Sequence, residues 1–239
     1  MILLLDIGNS SVKWRLAGRS GRLSGDTLLP PLERAPDAIW VSSVASPERE
    51  QALAREAMQQ WQRDPWFARS EASACGLTNS YAQPQRMGVD RWLAMIAAYV
   101  RVKGAVCVVD AGSALTIDFV DADGQHLGGY IIPGLDLMAQ SLASGTARVR
   151  VSGPGQGELL PGRSTEAAVS NGLYLAHAGA VALAGERYGH NSSFVFTGGG
   201  GEELMRVLGL GGDYVADLVL EGLALRGRLA GPDGPGASA

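Results

Sequence analysis

Short apolar runs that end in an aspartate open both halves of the chain. The run from Ile2 to Asp6 predicts a buried β-strand, and the run from Ala105 to Asp110 repeats this pattern in the second half. In each half, alternating apolar and polar residues then predict β-hairpins before the spacing of apolar residues becomes helical. The pattern therefore indicates an α/β protein with a duplicated plan.

The clearest helical pattern lies at the end of the first half. Apolar residues from Val89 to Val100 follow the spacing i, i+3, i+4 and i+7, and Gly104 ends the helix. Other helices are predicted over residues 47–63, 133–144, 165–188, 202–208 and 217–229.

The repeated pattern suggests where the chain divides. We place the two halves at residues 1–104 and 105–230, and we expect residues 231–239 to be disordered because they are rich in Gly, Pro, Ser and Ala. Each half follows the βββαβα plan of ribonuclease H-like domains. Two such halves facing one another are the plan of the actin-like ATPases, which bind nucleotide in the cleft between the halves. This two-lobed α/β fold is the predicted fold class.

Composition narrows the class of function. The chain is 46% hydrophobic and 18% charged with a net charge of −4, which is ordinary for a soluble protein and gives no basic field for nucleic acid or an anionic membrane. The N-terminal apolar run meets a charge at once, and no apolar run is expected to approach a membrane-spanning length. Cys75 and Cys107 lie far apart, and Cys107 falls in an apolar run, so we expect free thiols and a cytoplasmic location.

The first candidate site follows the first strand. Asp6 is delivered to a hairpin at Gly8, Asn9 and Ser10, where backbone N–H groups can approach phosphate oxygens closely. Mg²⁺ prefers a carboxylate nearby, and Lys13 can place a point charge on a phosphate. A plain β-turn explains this segment alone about equally well.

The second candidate site repeats this arrangement after the second strand. Asp110 ends a wholly apolar strand, where a carboxylate needs a partner such as a cation. Gly112 and Ser113 form the turn, and Thr116 and Asp118 share one face of the next strand. A satisfied turn aspartate is the alternative, but the two segments together favour phosphate and metal binding.

A third candidate site begins the clearest helix. Asp90 and Arg91 fall in its first turn and off its apolar stripe, so both can face a cleft. An ionised Asp90 can accept the proton of a substrate hydroxyl as it attacks a γ-phosphate, and Arg91 can hold a substrate carboxylate. The spacing alone favours the simpler interpretation, in which acidic residues merely decorate a helix start.

Two further segments carry weaker signals. Thr197 and the four glycines after it follow a strand, and backbone without side chains there can lie against the sugar and base of a nucleotide. The chain has no Walker or dinucleotide-binding fingerprint. Thr165 is more simply a helix N-cap, and His126, His177 and His190 show no metal-ligand spacing.

Together these motifs resemble one known family. They are Asp6-Ile7-Gly8-Asn9-Ser10, Gly88-Val89-Asp90-Arg91, Asp110-Ala111-Gly112-Ser113-Ala114-x-Thr116-x-Asp118, Gly128-Gly129-Tyr130-Ile131-Ile132-Pro133-Gly134 and Thr197-Gly198-Gly199. In this order they occur in type III pantothenate kinases, and the chain resembles that family from Met1 to about Leu229. Gly-x-Asp-Arg and Gly-Gly-x-Ile-x-Pro-Gly are the specific pieces.

The resemblance implies ATP-dependent phosphorylation of pantothenate, the first step toward coenzyme A, by a cytoplasmic homodimer that uses Mg²⁺ with ATP. It implies Asp90 as the general base, Asp110 as ligand of a monovalent cation such as K⁺ or NH₄⁺, and Asp6 as a ligand of Mg²⁺ through water. The residues implied to bind ATP are Asp6, Ile7, Gly8, Asn9, Ser10, Ser11, Val12, Lys13, Ser113, Thr197, Gly198 and Gly199. Those implied to bind pantothenate are Tyr81, Gly88, Val89, Asp90, Arg91 and, from the partner subunit, Thr165.

Two other functions stay open. Some relatives of this family were first described as accessory factors for gene expression, so a regulator on the same fold is one alternative. A kinase for another small hydroxylated acid or sugar is the other. The family usually has Thr where this chain has Ser10 and Ser113, a change that keeps the hydroxyl.

Overall fold

The computed structural model describes residues 1–8, 11–145, 158–189 and 191–230. The chain forms two compact units, the first from Met1–Arg101 together with the segment that begins at Asp217, and the second from Val102–Ala216. Each unit contains a five-stranded sheet.

The first unit builds its sheet from the N-terminal strands. They are β1 (Ile2–Ile7), β2 (Ser11–Leu16), β3 (Arg19–Ser24), β4 (Ala38–Ser43) and β5 (Trp66–Phe67), in the spatial order β3-β2-β1-β4-β5. β2 and β3 are antiparallel neighbours that extend from β1, whereas β4 is parallel to β1 and β5 to β4. The remaining elements of this unit are α1 (Pro47–Trp61), the short hairpin β6 (Ser73–Ala74) and β7 (Leu77–Thr78), a 3₁₀ turn (Pro84–Arg86), α2 (Val89–Val102) and α6 (Leu218–Ala230).

The second unit repeats this topology. Its strands are β8 (Val106–Ala111), β9 (Ala114–Val120), β10 (His126–Pro133), β11 (Ser193–Thr197) and β12 (Asp213–Tyr214), in the order β10-β9-β8-β11-β12. Its helices are α3 (Leu135–Gly145), α4 (Thr165–Tyr188) and α5 (Gly201–Leu208). The predicted duplicated α/β fold is confirmed. The units differ because α3 and α4 lie between the third and fourth strands here, whereas the described segment between β3 and β4 contains no helix.

Each unit has its own core on one face of its sheet. In the first unit, alternate residues of β1 such as Leu5 pack with Leu53 and Ala57 of α1. In the second, Phe119 of β9 packs with Val181 of α4. Alternation along the strands leaves the other face to Asp6 in the first unit and to Asp110 in the second.

Helix α6 belongs to the first unit, where it packs against β1 and β4, although the sequence pattern placed it in the half at residues 105–230. Its glycines permit this approach. A Cβ atom on Gly222 would collide with the carbonyl group of Leu93 in α2, and one on Gly227 would collide with the ring of Trp40 in β4. The sequence pattern showed a helix here but not the surface that it covers.

Helix α2 is more deeply buried than its amphipathic pattern indicated. Val89, Trp92 and the other predicted apolar positions are buried up to Ala97, but Arg91 is buried as well, with 6% of its surface exposed. The position of Arg91 off the apolar stripe therefore does not make it an exposed residue.

Helix α4 is long and apolar, although the sequence analysis expected no run of membrane-spanning length. By length and composition alone it could cross a bilayer, contrary to the expectation from the sequence, because its many Ala and Gly residues leave few charges along 24 residues. One such helix is weak evidence for a membrane span, since core helices of soluble proteins pass the same test. Here α4 packs against α3, α5 and β9.

Candidate active site

Asp6 lies on the face of the first sheet opposite the hydrophobic core. It lies near the end of β1, where it is paired with Lys13 of β2 on one side and with Ser42 of β4 on the other. The Ser42 hydroxyl donates a hydrogen bond to Asp6 Oδ1 at 3.0 Å. Ser42 belongs to none of the sequence motifs, because a serine near the end of an apolar strand has no pattern that marks it.

Burial raises the pKa of Asp6 from 3.8 to about 6. The hydrogen bond from Ser42 and the charge of Lys13 lower this pKa, whereas the negative charges of Asp90 and Asp217 raise it. The structure therefore brings Asp90 within electrostatic range of Asp6.

The hairpin after β1 is closed by its own backbone. Gly8 N–H donates to the Ser11 carbonyl at 3.1 Å, and Ile7 and Val12 are fully buried opposite each other in the core. Those two residues can offer only backbone groups to a ligand. Asn9 and Ser10 lie outside the described residues.

The carboxylate of Asp90 turns back over the start of α2. Its Oδ1 accepts a hydrogen bond from Arg91 N–H at 2.8 Å. This position is open because residue 88 is glycine, since a Cβ atom there would lie 2.6 Å from Asp90 Oδ1. The spacing Gly-x-Asp therefore has a steric reason that the sequence alone did not reveal.

Tyr81 and Arg91 form a contact pair in the same unit. Arg91 Nη1 donates to the Tyr81 hydroxyl at 3.0 Å, and the guanidinium carbon lies 5.8 Å from the centre of the Tyr81 ring. Both residues were assigned to one substrate by resemblance, and the structure places them together. Val89 lies two residues before Arg91 in the sequence, and its side chain is buried in the core.

Asp110 occupies the matching position of the second sheet. It is paired with Thr116 of β9 and with Thr197 of β11, so hydroxyl residues flank it on both neighbouring strands. A Cβ atom on Gly198 would collide with Asp110 Oδ1, and the positive φ of 82° at Gly198 also disfavours other residues. Backbone without a side chain thus borders the Asp110 carboxylate.

The glycine-rich segment after β11 is held by defined hydrogen bonds. Gly200 N–H donates to the Ala111 carbonyl at 3.0 Å, and the Tyr214 hydroxyl donates to the Gly198 carbonyl at 3.1 Å. Around Gly199, in contrast, an added Cβ would meet nothing within 4 Å. The segment is fixed at its ends and open at its middle.

Ser113 lies in the turn between β8 and β9, against the segment that leads into α3. Its carbonyl accepts a hydrogen bond from Gly134 N–H at 3.1 Å, and a Cβ on Gly134 would lie 2.5 Å from that carbonyl oxygen. The Pro-Gly motif therefore packs directly on the second candidate turn.

Thr165 is not the N-cap of α4, and Asp118 is buried in contact with a histidine. The N-cap of α4 is Ser164, whose hydroxyl accepts from Ala167 N–H at 3.2 Å, and Thr165 is exposed as the first helical residue. Asp118 is buried beside His126, with 3.2 Å between Asp118 Oδ1 and His126 Nε2, so it has a structural partner.

The remaining histidines support no metal centre in the described residues. His177 Nε2 lies 2.9 Å from the Pro133 carbonyl oxygen, and burial lowers the pKa of His177. No group of three or more His, Cys, Asp or Glu side chains suited to a metal occurs within the described ranges. His190 lies outside them.

Comparison with known proteins decides the family. The sequence model described as type III pantothenate kinase matches residues 23–186. The chain belongs to the type III pantothenate kinase family.

Individual relatives agree over nearly the whole chain. A type III pantothenate kinase of Marinobacter nauticus is 40% identical over 234 residues, covering 93% of this chain and 96% of the relative. One from Hahella chejuensis is 40% identical over 235 residues, covering 92% and 94%.

Solved structures share the fold. A protein of Campylobacter jejuni described as a Baf family transcriptional activator matches with a TM-score of 0.63 and 25% identity, covering 93% of this chain and 95% of that one. A protein of Sinorhizobium meliloti described as a 2-dehydro-3-deoxygalactonokinase matches with a TM-score of 0.58 and 16% identity, covering 97% and 100%. The second likeness shows the fold alone.

The contact between Gly88 and Asp90 gives a direct test. Gly88→Ala should turn the Asp90 carboxylate away from Arg91 N–H and lower kinase turnover by about tenfold or more, because the added methyl group occupies the place of Asp90 Oδ1. The melting temperature should change little, since a carboxylate can rotate aside. Gly104→Ala, after the end of the same helix, is the control, because a methyl group there meets nothing closer than 4.0 Å. Equal turnover of the two variants would contradict this steric role.

Proposed function

We propose that this protein transfers the γ-phosphoryl group of ATP to pantothenate, giving 4′-phosphopantothenate in the first step of coenzyme A biosynthesis. Membership of the family supports the reaction. The observation that carries the proposal is the joint placement of Asp6, Lys13 and Asp90 in one electrostatic neighbourhood. Such a neighbourhood suits a phosphoryl transfer, which depends on positioning and charge.

Asp90 acts as the general base. Its carboxylate takes the proton of the pantothenate hydroxyl, the hydroxyl oxygen forms a bond to the γ-phosphorus, and the bond from that phosphorus to the bridging oxygen of ADP breaks. The N–H of Arg91 orients this carboxylate through a hydrogen bond to Asp90 Oδ1.

Arg91 and Tyr81 bind the acid end of pantothenate. A buried guanidinium can meet a carboxylate with paired hydrogen bonds, and its contact with the Tyr81 hydroxyl fixes its direction. Gly88 and Val89 shape the start of this site through their backbone, and we assign them to the same substrate.

The first hairpin binds the phosphates of ATP, with Mg²⁺ held through water by Asp6. Asp6 suits a cation because burial raises its pKa, so its ionised form lacks favourable interactions. A nearby cation would supply them. When bound, Mg²⁺ offsets the charge of the phosphates. Lys13 adds a positive charge beside Asp6, and Gly8, Asn9, Ser10 and Ser11 supply backbone and hydroxyl donors.

The second unit contributes the glycine-rich segment and Asp110. Gly198 and Gly199, with Thr197 and Ser113, bind ATP, and the open space around Gly199 suits close approach of a ligand. Asp110, bordered by Thr116, Thr197 and Gly198, holds K⁺ or NH₄⁺, for which a carboxylate among oxygen-bearing neighbours is a suitable ligand set.

A homodimer is the proposed assembly, with cytoplasmic location and with neither nucleic acid nor membrane as partner. Helix α4 supports the dimer because one side of it stays exposed in a single chain. This exposed stripe consists of Leu175, Ala176, Gly179, Ala182 and Leu183. Small residues beside two exposed leucines permit close packing with a second copy. Thr165 lies exposed at the start of the same helix, where it can reach pantothenate of the partner.

A regulatory role is the second candidate function, and the description of the Campylobacter jejuni structure as a transcriptional activator favours it. The chain nevertheless retains Asp6, Asp90 and Asp110, which a protein without catalysis has no need to keep. Purified protein with ATP, Mg²⁺ and K⁺ and a panel of small alcohols separates the candidates. Phosphorylation of pantothenate supports the pantothenate kinase. Phosphorylation of another acid or sugar instead supports a kinase with that substrate, and the absence of any turnover supports the regulator.

Asp90→Asn should nearly abolish phosphoryl transfer, by about 10²–10⁴-fold in turnover, because an amide cannot accept the hydroxyl proton. Stability should change by about 1 kcal/mol or less, since Asn is nearly isosteric and tolerated at a helix start. Asp136→Asn is the matched control, because Asp136 is likewise the second residue of its helix. Turnover of Asp90→Asn within a few-fold of the unaltered protein would remove Asp90 from the mechanism.

Activity should be higher in K⁺ or NH₄⁺ buffer than in Na⁺ buffer of the same ionic strength. Asp110→Asn should remove this difference, because it removes the charge that holds the cation. The comparison is made by initial rates at saturating ATP. Equal rates in Na⁺ and K⁺ for the unaltered protein would refute the cation site.

Leu175→Glu should convert the dimer to a monomer in sedimentation experiments. Leu175 belongs to the exposed stripe of α4, and dimer formation would bury the introduced charge between the two copies. Leu229→Glu, at an exposed leucine of α6, is the control and should leave the dimer intact. An active monomer of the unaltered protein at assay concentration would overturn the shared site.

A further inference from the structure

An ion pair joins the strand that carries Lys13 to the start of α6. Arg15 Nη2 lies 3.0 Å from Asp217 Oδ2, and both side chains are about one-third exposed, at 28% and 31%. None of the sequence motifs includes either residue. The pair lies in the first unit, and Asp217 directly precedes α6.

The Arg15–Asp217 pair lies on the same sheet as the hairpin after β1, which we assign to the phosphates of ATP. Arg15 lies two residues after Lys13 on β2, so both side chains lie on the face of the sheet that also bears Asp6. The ion pair with Arg15 holds the Asp217 carboxylate at this same face of the sheet. Asp217 therefore adds negative charge to the region where the phosphates of ATP bind.

We propose that Arg15 is a positioning residue that neutralises Asp217 and so prevents its charge from repelling the phosphates of ATP at the Asp6–Lys13 hairpin. This inference rests on the proposed binding of ATP. In this assignment Arg15 does not contact ATP, and its effect on ATP passes through Asp217.

The charge of each partner distinguishes this role from a purely structural one. If the pair only fastens β2 to α6, the loss of either partner breaks the same link, and the two single variants should behave alike. If Arg15 neutralises Asp217, the loss of Arg15 leaves an uncompensated negative charge near the phosphates. The loss of Asp217 leaves none, so the two variants should differ.

A second ion pair on α6 provides the control. Arg101 Nη2 lies 3.2 Å from Glu221 Oε2, with 43% and 33% of the two side chains exposed, so it resembles the first pair in geometry and exposure. It links α6 to the last turn of α2, and Glu221 lies four residues after Asp217, one helical turn further along the chain. Arg101→Gln therefore measures the loss of an ion pair on α6 without added charge at the hairpin.

The experiment compares Arg15→Gln, Asp217→Asn, the double variant and Arg101→Gln. For each, the dissociation constant of Mg·ATP is measured by titration without pantothenate, and KM for ATP and kcat are measured with it. Arg15→Gln should raise both the dissociation constant and KM by about threefold to tenfold at low salt, with a smaller change in kcat. Salt should reduce this effect.

The double variant decides the inference. Removing Asp217 as well should return the constants for ATP to those of Asp217→Asn alone, and Arg15→Lys should fall nearer to the unaltered protein than Arg15→Gln does. The inference is overturned if Asp217→Asn weakens ATP as much as Arg15→Gln, if the double variant shows no recovery, or if Arg15→Gln matches Arg101→Gln. Failure of the unaltered protein to bind ATP or phosphorylate pantothenate would instead refute the proposed function.

Discussion

The ionised carboxylate at the end of a buried strand is the constraint on which the rest of the site depends. Asp6 is held by β1 between two neighbouring strands, and burial moves its pKa to about 6. Because folding raises this pKa, the stabilisation from protonated Asp6 is present at low pH and is lost as the pH rises through about 6. Ionised Asp6 thus opposes folding at neutral pH, a cost that a bound cation offsets.

Glycines decide where the other carboxylates can point. Gly88 leaves room for Asp90 Oδ1 above the start of α2, and Gly198 leaves room for Asp110 Oδ1 beside β11. In both cases the contact is between a side-chain oxygen and the position that a Cβ atom would occupy. In this chain, therefore, Gly88 makes the space that Asp90 uses, and Gly198 makes the space that Asp110 uses.

The two units carry different kinds of group on the sheet face opposite the core. The first unit collects charged side chains, with Asp6, Lys13 and Asp90 near one another and Arg91 held by Tyr81. The second offers mainly backbone and hydroxyl groups around Asp110. Acid–base chemistry and recognition of a carboxylate suit the first set, whereas contact with a nucleotide and a monovalent cation suits the second.

The linear sequence was enough to predict the local elements and to locate the motifs. Apolar spacing fixed the helices to within a few residues, as in α4 over residues 165–188, and alternation placed Asp6 and Asp110 at equivalent strand ends. These features depend on neighbours along the chain, so a linear pattern contains them. The duplicated topology follows for the same reason, because each half repeats its local signals.

Contacts between residues far apart in the chain became visible only in the folded protein. Ser42 contacts Asp6, Asp217 contacts Arg15, and α6 packs on the first unit. The partners in these contacts are up to 202 residues apart in the chain, so no local pattern contains them. Burial of Arg91 likewise depends on what surrounds α2 rather than on its own stripe. Local periodicity specifies which face of an element is apolar, whereas the identity of the surface that covers it is a property of the whole fold.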